Sequence, residues 1–424
     1  MSTRCRLPLI SLTVFVCLFA CANAMAQHEP AAGGGTIGGG STSRPTSTKP
    51  ASKPANKPST TTTPRSTRGT RSTKTTPTTT GATTRPTTGA TTRPSTTPAV
   101  RNPTSSATAD SYYQQGEALY KEQKYNEALD FYLRAVSANP SMASAYYRIG
   151  WIRNDLEDFE AAVEPLKRVI TLQPSNSAAF FELGYANKKL ERFGEALAAF
   201  QQAVRFKPDY PGAHYQIGWI HNDQKNYDDA VASLKLALQQ RPNYPEAHGE
   251  LGYAYRHLGR YSESIEEYQE AIKQKPDLAT AHLGLGDVYY YNTKQFAEAA
   301  RAYKKGLEIN PNNTQALYNL GWCYNDLERY TEAVAELKNA IRIRPEYPEA
   351  YNELGYALHQ LQRYGEAVQN YQTAIRQKAN YASAHYNLGM SFIALNNKNA
   401  ALEQYRILQR IDNARATKLF GQIK

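Results

Sequence analysis

Cysteine is scarce in this sequence, and its placement excludes stabilising disulfides. Of four cysteines in 424 residues, Cys5, Cys17 and Cys21 lie close to the N-terminus, and Cys323 is the fourth. If the leader described below is removed, Cys323 remains alone and no intrachain disulfide can form. Its apolar neighbours in a helix-forming stretch are typical of a buried structural thiol rather than of a nucleophile.

Motifs of known catalytic or cofactor chemistry are also missing. The sequence has no HExxH, no GxSxG, no P-loop and no dinucleotide-binding glycine turn. Its one glycine-rich run, Gly33–Gly40, lies in a stretch with almost no apolar residues. Acidic pairs such as Glu266-Glu267 fall on predicted solvent-facing helix surface. We therefore expect no catalytic residue, no metal and no cofactor, and a binding protein rather than an enzyme.

Long apolar runs are absent except for a short one at the N-terminus. The run Leu7–Ala20 is shorter than the roughly 20 residues that span a bilayer. Two arginines precede it and small residues follow, so residues 1–26 are predicted to be a signal peptide cleaved after Ala24 or Ala26. The stretch ending at Cys21 also resembles a bacterial lipobox, although Phe19 departs from its usual small residue. We expect export to the periplasm or the medium, or a lipid anchor on Cys21.

Acidic residues are almost absent from the first quarter of the chain. Residues 1–108 hold thirteen Lys and Arg but a single acid, Glu29, whereas residues 109–424 hold 36 basic and 37 acidic residues. The formal net charge of +11 therefore comes from the N-terminal part alone. A nucleic-acid groove would need a basic face on the folded part, so we expect no nucleic-acid partner.

Residues 27–108 have the composition of a disordered linker. They are rich in Thr, Ser, Pro, Lys and Arg and nearly free of apolar side chains, so they cannot bury enough surface to offset chain entropy. The hexapeptide GATTRP occurs at 81–86 and again at 89–94, and frequent prolines favour an extended spacer. Its positive charges suit weak contact with anionic envelope polymers or lipids. Whether its threonines carry glycans is open.

From Ala109 onwards the sequence repeats. Glycines recur every 34 residues at 116, 150, 184, 218, 252 and 286, and after one extra residue near 291–295 the period resumes at 321, 355 and 389. Numbering each repeat so that this glycine is position 8, alanine occupies position 20 and an aromatic residue position 17 in eight of the repeats. Proline occupies position 32 in seven repeats, where it ends a helix.

This pattern resembles the tetratricopeptide repeat, or TPR. The resemblance covers about residues 109–413, which is nine repeats, and residues 414–424 read as a C-terminal capping helix. It implies an all-α fold, a right-handed superhelix of helix-turn-helix repeats with no catalytic role. Histidines at position 4 of four repeats stand one per hairpin, so we expect packed rings rather than a metal site.

In this family, positions 2, 5, 9, 12 and 13 line the concave face of the superhelix. We call positions 9, 12 and 13 the inner face. Position 9 carries aromatic residues in six repeats: Trp151, Tyr185, Trp219, Tyr253, Trp322 and Tyr356. Positions 12 and 13 carry Asn154, Asp155, Lys188, Lys189, Asn222, Asp223, Arg256, His257, Asn325, Asp326, His359 and Gln360. Position 5 adds Tyr147, Phe181, Tyr215, Tyr318 and Tyr386. The expected surface is an aromatic ladder with acidic and basic rungs in alternation.

The hypothesis is that this ladder binds a protein or peptide segment, because exposed Trp, Tyr and Arg are enriched at binding hot spots. The alternation itself has a competing explanation, namely duplication of a two-hairpin block over 143–210, 211–278 and 314–381. A glycan or cell-wall binding module is the alternative function. Self-association through the alternating charges is a further option.

Overall fold

The computed structural model describes residues 105–423, which form nineteen α-helices and one short π-helix. The predicted signal peptide, Cys21 and most of the predicted linker lie outside the described residues. The first helices of the nine hairpins are α1 (Ser105–Lys121), α3 (Ala143–Asp155), α5 (Ser177–Lys189), α7 (Pro211–Asp223), α9 (Pro245–His257), α11 (Ala279–Asp287), α13 (Thr314–Asp326), α15 (Pro348–Gln360) and α17 (Ala382–Ala394). The second helices are α2 (Tyr125–Ala138), α4 (Phe159–Leu172), α6 (Phe193–Phe206), α8 (Tyr227–Gln240), α10 (Tyr261–Gln274), α12 (Phe296–Ile309), α14 (Tyr330–Ile343), α16 (Tyr364–Gln377) and α18 (Lys398–Ile411).

Eight of the nine hairpins close where the position-8 glycine meets the side chain at position 24. A Cβ on Gly184 would lie 2.8 Å from the ring of Phe200, and one on Gly150 would lie 2.5 Å from Leu166 Cγ. Both distances are shorter than carbon atoms tolerate, so the two helices approach this closely only because position 8 has no side chain. Leu166 and Phe200 are fully buried. The two versions of the repeat thus differ in the position-24 side chain that packs between the two helices. It is leucine in one version and an aromatic residue in the other.

The turn inside each hairpin requires a left-handed backbone conformation at position 15. Eight of the nine turns use a non-glycine residue there, with φ between 56° and 64°, and repeat 5 uses Gly259 at φ 75°. This conformation costs an L-residue roughly 1–2 kcal/mol. The cost recurs in the eight repeats without glycine at this position, so the packing of the two helices must outweigh it.

The extra residue in repeat 6 is absorbed by a π-helix. Helix α11 runs into the π-helix Val288–Asn292, where the backbone widens by one residue before the turn at Lys294. Inserted residues are commonly accommodated in this way, and such π-segments frequently occur at functional sites. Ahead of the insertion, position 9 of this repeat is Asp287, where an aromatic ring stands in the repeats on either side.

The array ends in α19 (Asn413–Ile423), which lies where the sequence predicts a capping helix. Leu419 is fully buried, and a Cβ added to Gly389 would collide with it. Leu419 therefore takes the place that a position-24 side chain fills in earlier repeats. Among the helices of residues 105–423, none is both long and apolar enough to cross a bilayer.

Candidate functional site

The position-9 aromatic rings lie half-buried between neighbouring hairpins. In five repeats the ring packs against the position-17 ring of the preceding repeat, with centroids 6.0 to 6.3 Å apart: Trp151–Tyr125, Tyr185–Phe159, Trp219–Phe193, Tyr253–Tyr227 and Tyr356–Tyr330. Tyr253 is the most open, with 37% of its surface exposed. These rings therefore contribute to the interface between hairpins as well as to the inner face, a structural role that the sequence interpretation did not give them.

Trp322 departs from this pattern because of the π-helix. Tyr290 lies between Trp322 and the position-17 ring Phe296, at 5.3 Å from the first and 5.4 Å from the second. The Tyr290 hydroxyl donates a hydrogen bond of 2.6 Å to Asp326 Oδ2. Tyr290, at position 12 of repeat 6, thus adds one ring beside Trp322 and bonds to an inner-face carboxylate.

The position-12 asparagines are buried, contrary to the expectation that they lie on an open surface. Asn154, Asn222 and Asn325 are 4 to 5% exposed. The amide of Asn154 donates to the backbone oxygen of Glu182 at 3.0 Å and to its carboxylate at 2.9 Å. Asn222 makes the same pair of bonds to Glu250, and Asn325 makes it to Glu353 at 3.2 and 3.3 Å. We call these three contacts the Asn–Glu clasps.

The clasps explain the alternation of the two repeat versions physically. Position 12 of one repeat faces position 6 of the next, 28 residues later, so an asparagine in one version needs the glutamate of the other. Burial raises the pKa of Glu182 to about 7, against the lowering effect of the Asn154 hydrogen bond. Burial also raises the pKa of Glu250 and of Glu353, again against hydrogen bonds from asparagine. Each clasp asparagine keeps a buried Oδ1 with no donor in the described part of the chain.

The glutamates of the clasps were missed in the sequence analysis. The signal was present: Asn154 to Glu182, Asn222 to Glu250 and Asn325 to Glu353 have the same separation. It was overlooked because position 6 is not among the positions that the family resemblance assigns to the concave face.

The position-12 basic residues are also engaged within the array. Lys188 Nζ donates to Gln216 Oε1 at 2.7 Å and lies 3.9 Å from the centroid of the Trp219 ring. Burial lowers the pKa of Lys188 to about 8. Arg256 pairs with Asp287 Oδ2 at 2.8 Å and also donates to Asn292 Oδ1 at 3.2 Å.

Position 13, in contrast, is open. Asp155, Asp223 and Asp326 are exposed, as are Lys189 and His257. The Lys189 ammonium lies 5.6 Å from the Tyr185 ring, and the His257 ring stacks on Tyr227 at 4.6 Å. Burial and the nearby Arg256 charge lower the pKa of His257. The inner face therefore presents position-13 polar groups between half-buried position-9 rings.

The position-5 aromatics lie deeper than the sequence interpretation expected. Phe181, Tyr215 and Tyr318 are 8 to 9% exposed. Their rings pack on the last aromatic residue of the same repeat, at 4.9 Å for Phe181–Tyr210, 5.0 Å for Tyr215–Tyr244 and 5.1 Å for Tyr318–Tyr347. These three rings pack where the hairpin contacts the next one, and they do not line an open face.

The position-4 histidines close the loops between hairpins. The Nε2 atoms of His214, His248 and His282 lie 2.9 to 3.2 Å from the carbonyl oxygen of the proline that ends the previous repeat, and His385 does the same to Ala379. Among residues 105–423, no three His, Cys, Asp or Glu side chains are placed to hold a metal ion. Cys323 is fully buried, and burial raises the pKa of its thiol, as expected of a structural cysteine.

Several solved structures resemble this chain. YrrB, described as a TPR protein with an unusual peptide-binding site, is 22% identical with a TM-score of 0.42, over 44% of this chain and 97% of YrrB. The C-terminal part of a TPR repeat-containing protein from Cytophaga hutchinsonii is 18% identical with a TM-score of 0.46, over 57% of this chain and 99% of that one. MamA from Desulfovibrio magneticus RS-1 is 22% identical with a TM-score of 0.38, over 40% and 96%. No curated protein matches the chain.

Family models match most of the repeat array. Models described as tetratricopeptide repeat match residues 113–177, 147–211, 181–245, 279–313, 302–335 and 382–415. A model described as TPR repeat matches residues 252–293, 323–362 and 355–396. Together these matches cover more than half of the chain. The chain therefore belongs to the tetratricopeptide repeat family, whose arrays are scaffolds for protein–protein interaction.

Proposed function

We propose that this protein is an exported, non-catalytic scaffold that binds an extended segment or a helix of a partner protein along the inner face. The observation that carries this proposal is the ladder of position-9 rings, half-exposed on six first helices. Aromatic side chains that keep part of their surface in water, next to charged groups, are typical of binding hot spots. A solvent-exposed aromatic row of this kind usually marks an interaction surface.

The ladder suits binding because its rings are already held in place. Packing at 6.0 to 6.3 Å against the preceding repeat restricts each ring before a partner arrives. Binding a partner then costs these rings little further side-chain entropy. In their repeats, the exposed part of the Tyr253 ring and the Lys189 ammonium are accessible to a partner.

The binding face is tested with peptides selected by phage display against the full chain. Changing Tyr185, Tyr253 and Tyr356 together to alanine is expected to weaken the selected peptides about tenfold or more, because three hot-spot rings are lost. The same three residues changed to phenylalanine keep the rings, so affinity should remain close to that of the natural protein. Fluorescence anisotropy measures both.

The matched control changes Leu133, Leu236 and Ile309 to alanine. These side chains are 39 to 44% exposed but lie on second helices. Their loss should leave affinity unchanged. Equal weakening by the control, or full affinity in the tyrosine-to-alanine variant, would place binding elsewhere.

Export is proposed from residues 1–26, with a periplasmic, secreted or lipid-anchored mature protein. The mass of the mature protein tests this directly. We expect the chain to begin at residue 25 or 27, or at Cys21 with added acyl chains. A mature protein that retains residues 1–20 would contradict export by this leader.

A further inference from the structure

The charges of the inner face are not equally available. The sequence places acidic and basic side chains in alternation along the inner face. In the structure, the two basic side chains at position 12 already form contacts within the array. Lys188 is held by Gln216 and Trp219, and Arg256 is held by Asp287. The Asp287 carboxylate balances the charge of Arg256, whereas Lys188 keeps its charge but is already engaged with a neutral amide and a ring.

The acidic rungs remain free. Asp155, Asp223 and Asp326 are exposed, and within residues 105–423 none of them forms an ion pair at 4.0 Å or less. Asp326 accepts only the neutral Tyr290 hydroxyl. Lys121, at position 13 of the first repeat, and Lys189 are the exposed lysines of the inner face. The exposed charges of the inner face are therefore three carboxylates against two ammonium groups, although residues 109–424 are nearly neutral.

Each free carboxylate stands one helical turn after a tryptophan. Trp151 and Asp155, Trp219 and Asp223, and Trp322 and Asp326 are four residues apart, which places each pair on one side of its helix. A ring face and a carboxylate together suit an ammonium or guanidinium group, because both attract a cation. The array supplies its own example, since the Lys188 ammonium already lies 3.9 Å from the Trp219 ring centroid.

We infer that the partner segment bound by the inner face is basic, with Lys or Arg side chains seated at the three Trp–Asp pairs. The inference rests on the proposed function and names the chemistry of its ligand. An acidic segment would bring its carboxylates against Asp155, Asp223 and Asp326, with the exposed lysines Lys121 and Lys189 to offset them. At the middle pair the incoming cation faces Asp223 beside the resident Lys188, so the outer pairs, at Trp151 and Trp322, contribute most.

The test uses the full chain and three fluorescein-labelled synthetic peptides of equal length, built on one Ser/Thr/Ala filler. They carry Lys, Gln or Glu at the same positions. We expect the Lys peptide to bind about tenfold or more tightly than the Gln peptide, and the Glu peptide to bind weakest. Added salt should narrow this difference, because exposed charges are screened.

The decisive variant changes Asp155, Asp223 and Asp326 to asparagine, which keeps the side-chain shape and the acceptor for Tyr290. Affinity for the Lys peptide is expected to fall about tenfold, with little change for the Gln peptide. The matched control removes three exposed carboxylates outside the inner face by changing Asp130, Asp228 and Asp277 to asparagine. It should leave the affinity within about twofold.

Three results would overturn the inference: a preference for the Glu peptide, no binding of the Lys peptide, or an equal loss in the control, which would mean attraction to overall charge. Peptides from the display selection that depend on the three tyrosines but show no enrichment in Lys or Arg would also overturn it. That last result would leave the proposed binding face standing.

Discussion

Changing Glu182 to glutamine is expected to stabilise the protein by about 3 kcal/mol at about pH 8 and by less than about 1 kcal/mol at about pH 5. Glu182 is 4% exposed, and its folded pKa of about 7 lies above the ordinary value near 4.5. The folded state therefore binds the proton more tightly than the unfolded state. The free energy of unfolding falls as pH rises from about 4.5 to about 7, because the carboxylate must then ionise inside the protein. Glutamine removes that cost.

The Asn–Glu clasp suggests why a neutral group suits this position. The ionised carboxylate uses the amide donor of Asn154 but offers nothing to the buried Asn154 Oδ1, which has no donor within residues 105–423. A protonated carboxyl or a glutamine amide has a hydrogen to give. The same argument applies to Glu250 beside Asn222, where burial also raises the pKa.

Urea unfolding followed by circular dichroism at the two pH values measures the effect. The control is Glu195→Gln, an exposed position in α6, which should change the free energy of unfolding by less than about 0.5 kcal/mol. If Glu182→Gln destabilises the protein at about pH 8, the ionised carboxylate is favourable there and this account of the clasp is wrong.

Changing Asp287 to alanine is expected to lower the free energy of unfolding by about 3 kcal/mol. Its carboxylate accepts from Arg256 at 2.8 Å and from the Tyr303 hydroxyl at 2.7 Å. Tyr303 is 1% exposed and the Arg256 side chain 18% exposed, so both would lose a partner away from bulk water. A charge left unpaired in such a place is costly. The network joins α9, the end of α11 and α12, so the loss is spread over the irregular repeat.

Asp287→Asn separates charge from shape, because it keeps an acceptor for Tyr303 while removing the ion pair. We expect its free energy of unfolding to lie between that of the natural protein and that of the alanine variant. Hydrogen exchange should show the loss of protection in α9 to α13 and leave α1 to α4 unchanged. As a control, Glu160→Ala breaks the exposed pair with Arg192, where 68% and 40% of the side chains are in water, at a cost below about 1 kcal/mol. If Asp287→Ala and Glu160→Ala lower the free energy of unfolding equally, the Asp287 network contributes no more than an exposed ion pair.

The hairpin architecture was predictable because its determinants are local and repeated. The 34-residue glycine period, the alanine at position 20 and the proline at position 32 require close helix approach and a helix end at fixed places. The structure confirms the all-α stack, the buried thiol of Cys323 and the packing of the position-4 histidine rings against the loops between hairpins. Even the extra residue of repeat 6 was visible as a break in the period, although its form, a π-helix, was not.

The inner face was predictable only in its residue types. Sequence alone determined that rings and charged groups recur at positions 9, 12 and 13, because that follows from the period. Only the tertiary structure decided which of them are available, because each side chain's partner comes from the next hairpin, 28 to 31 residues away. Asn154, Asn222 and Asn325 are buried in the clasps. Arg256 pairs with Asp287 of the following repeat, and Lys188 donates to the neutral Gln216 of the following repeat. Within the described residues Asp155, Asp223 and Asp326 form no ion pair, and Asp326 accepts a hydrogen bond from Tyr290 of the preceding repeat. The alternation of acidic and basic rungs in the sequence therefore becomes, in the folded array, a row of half-buried rings beside free carboxylates.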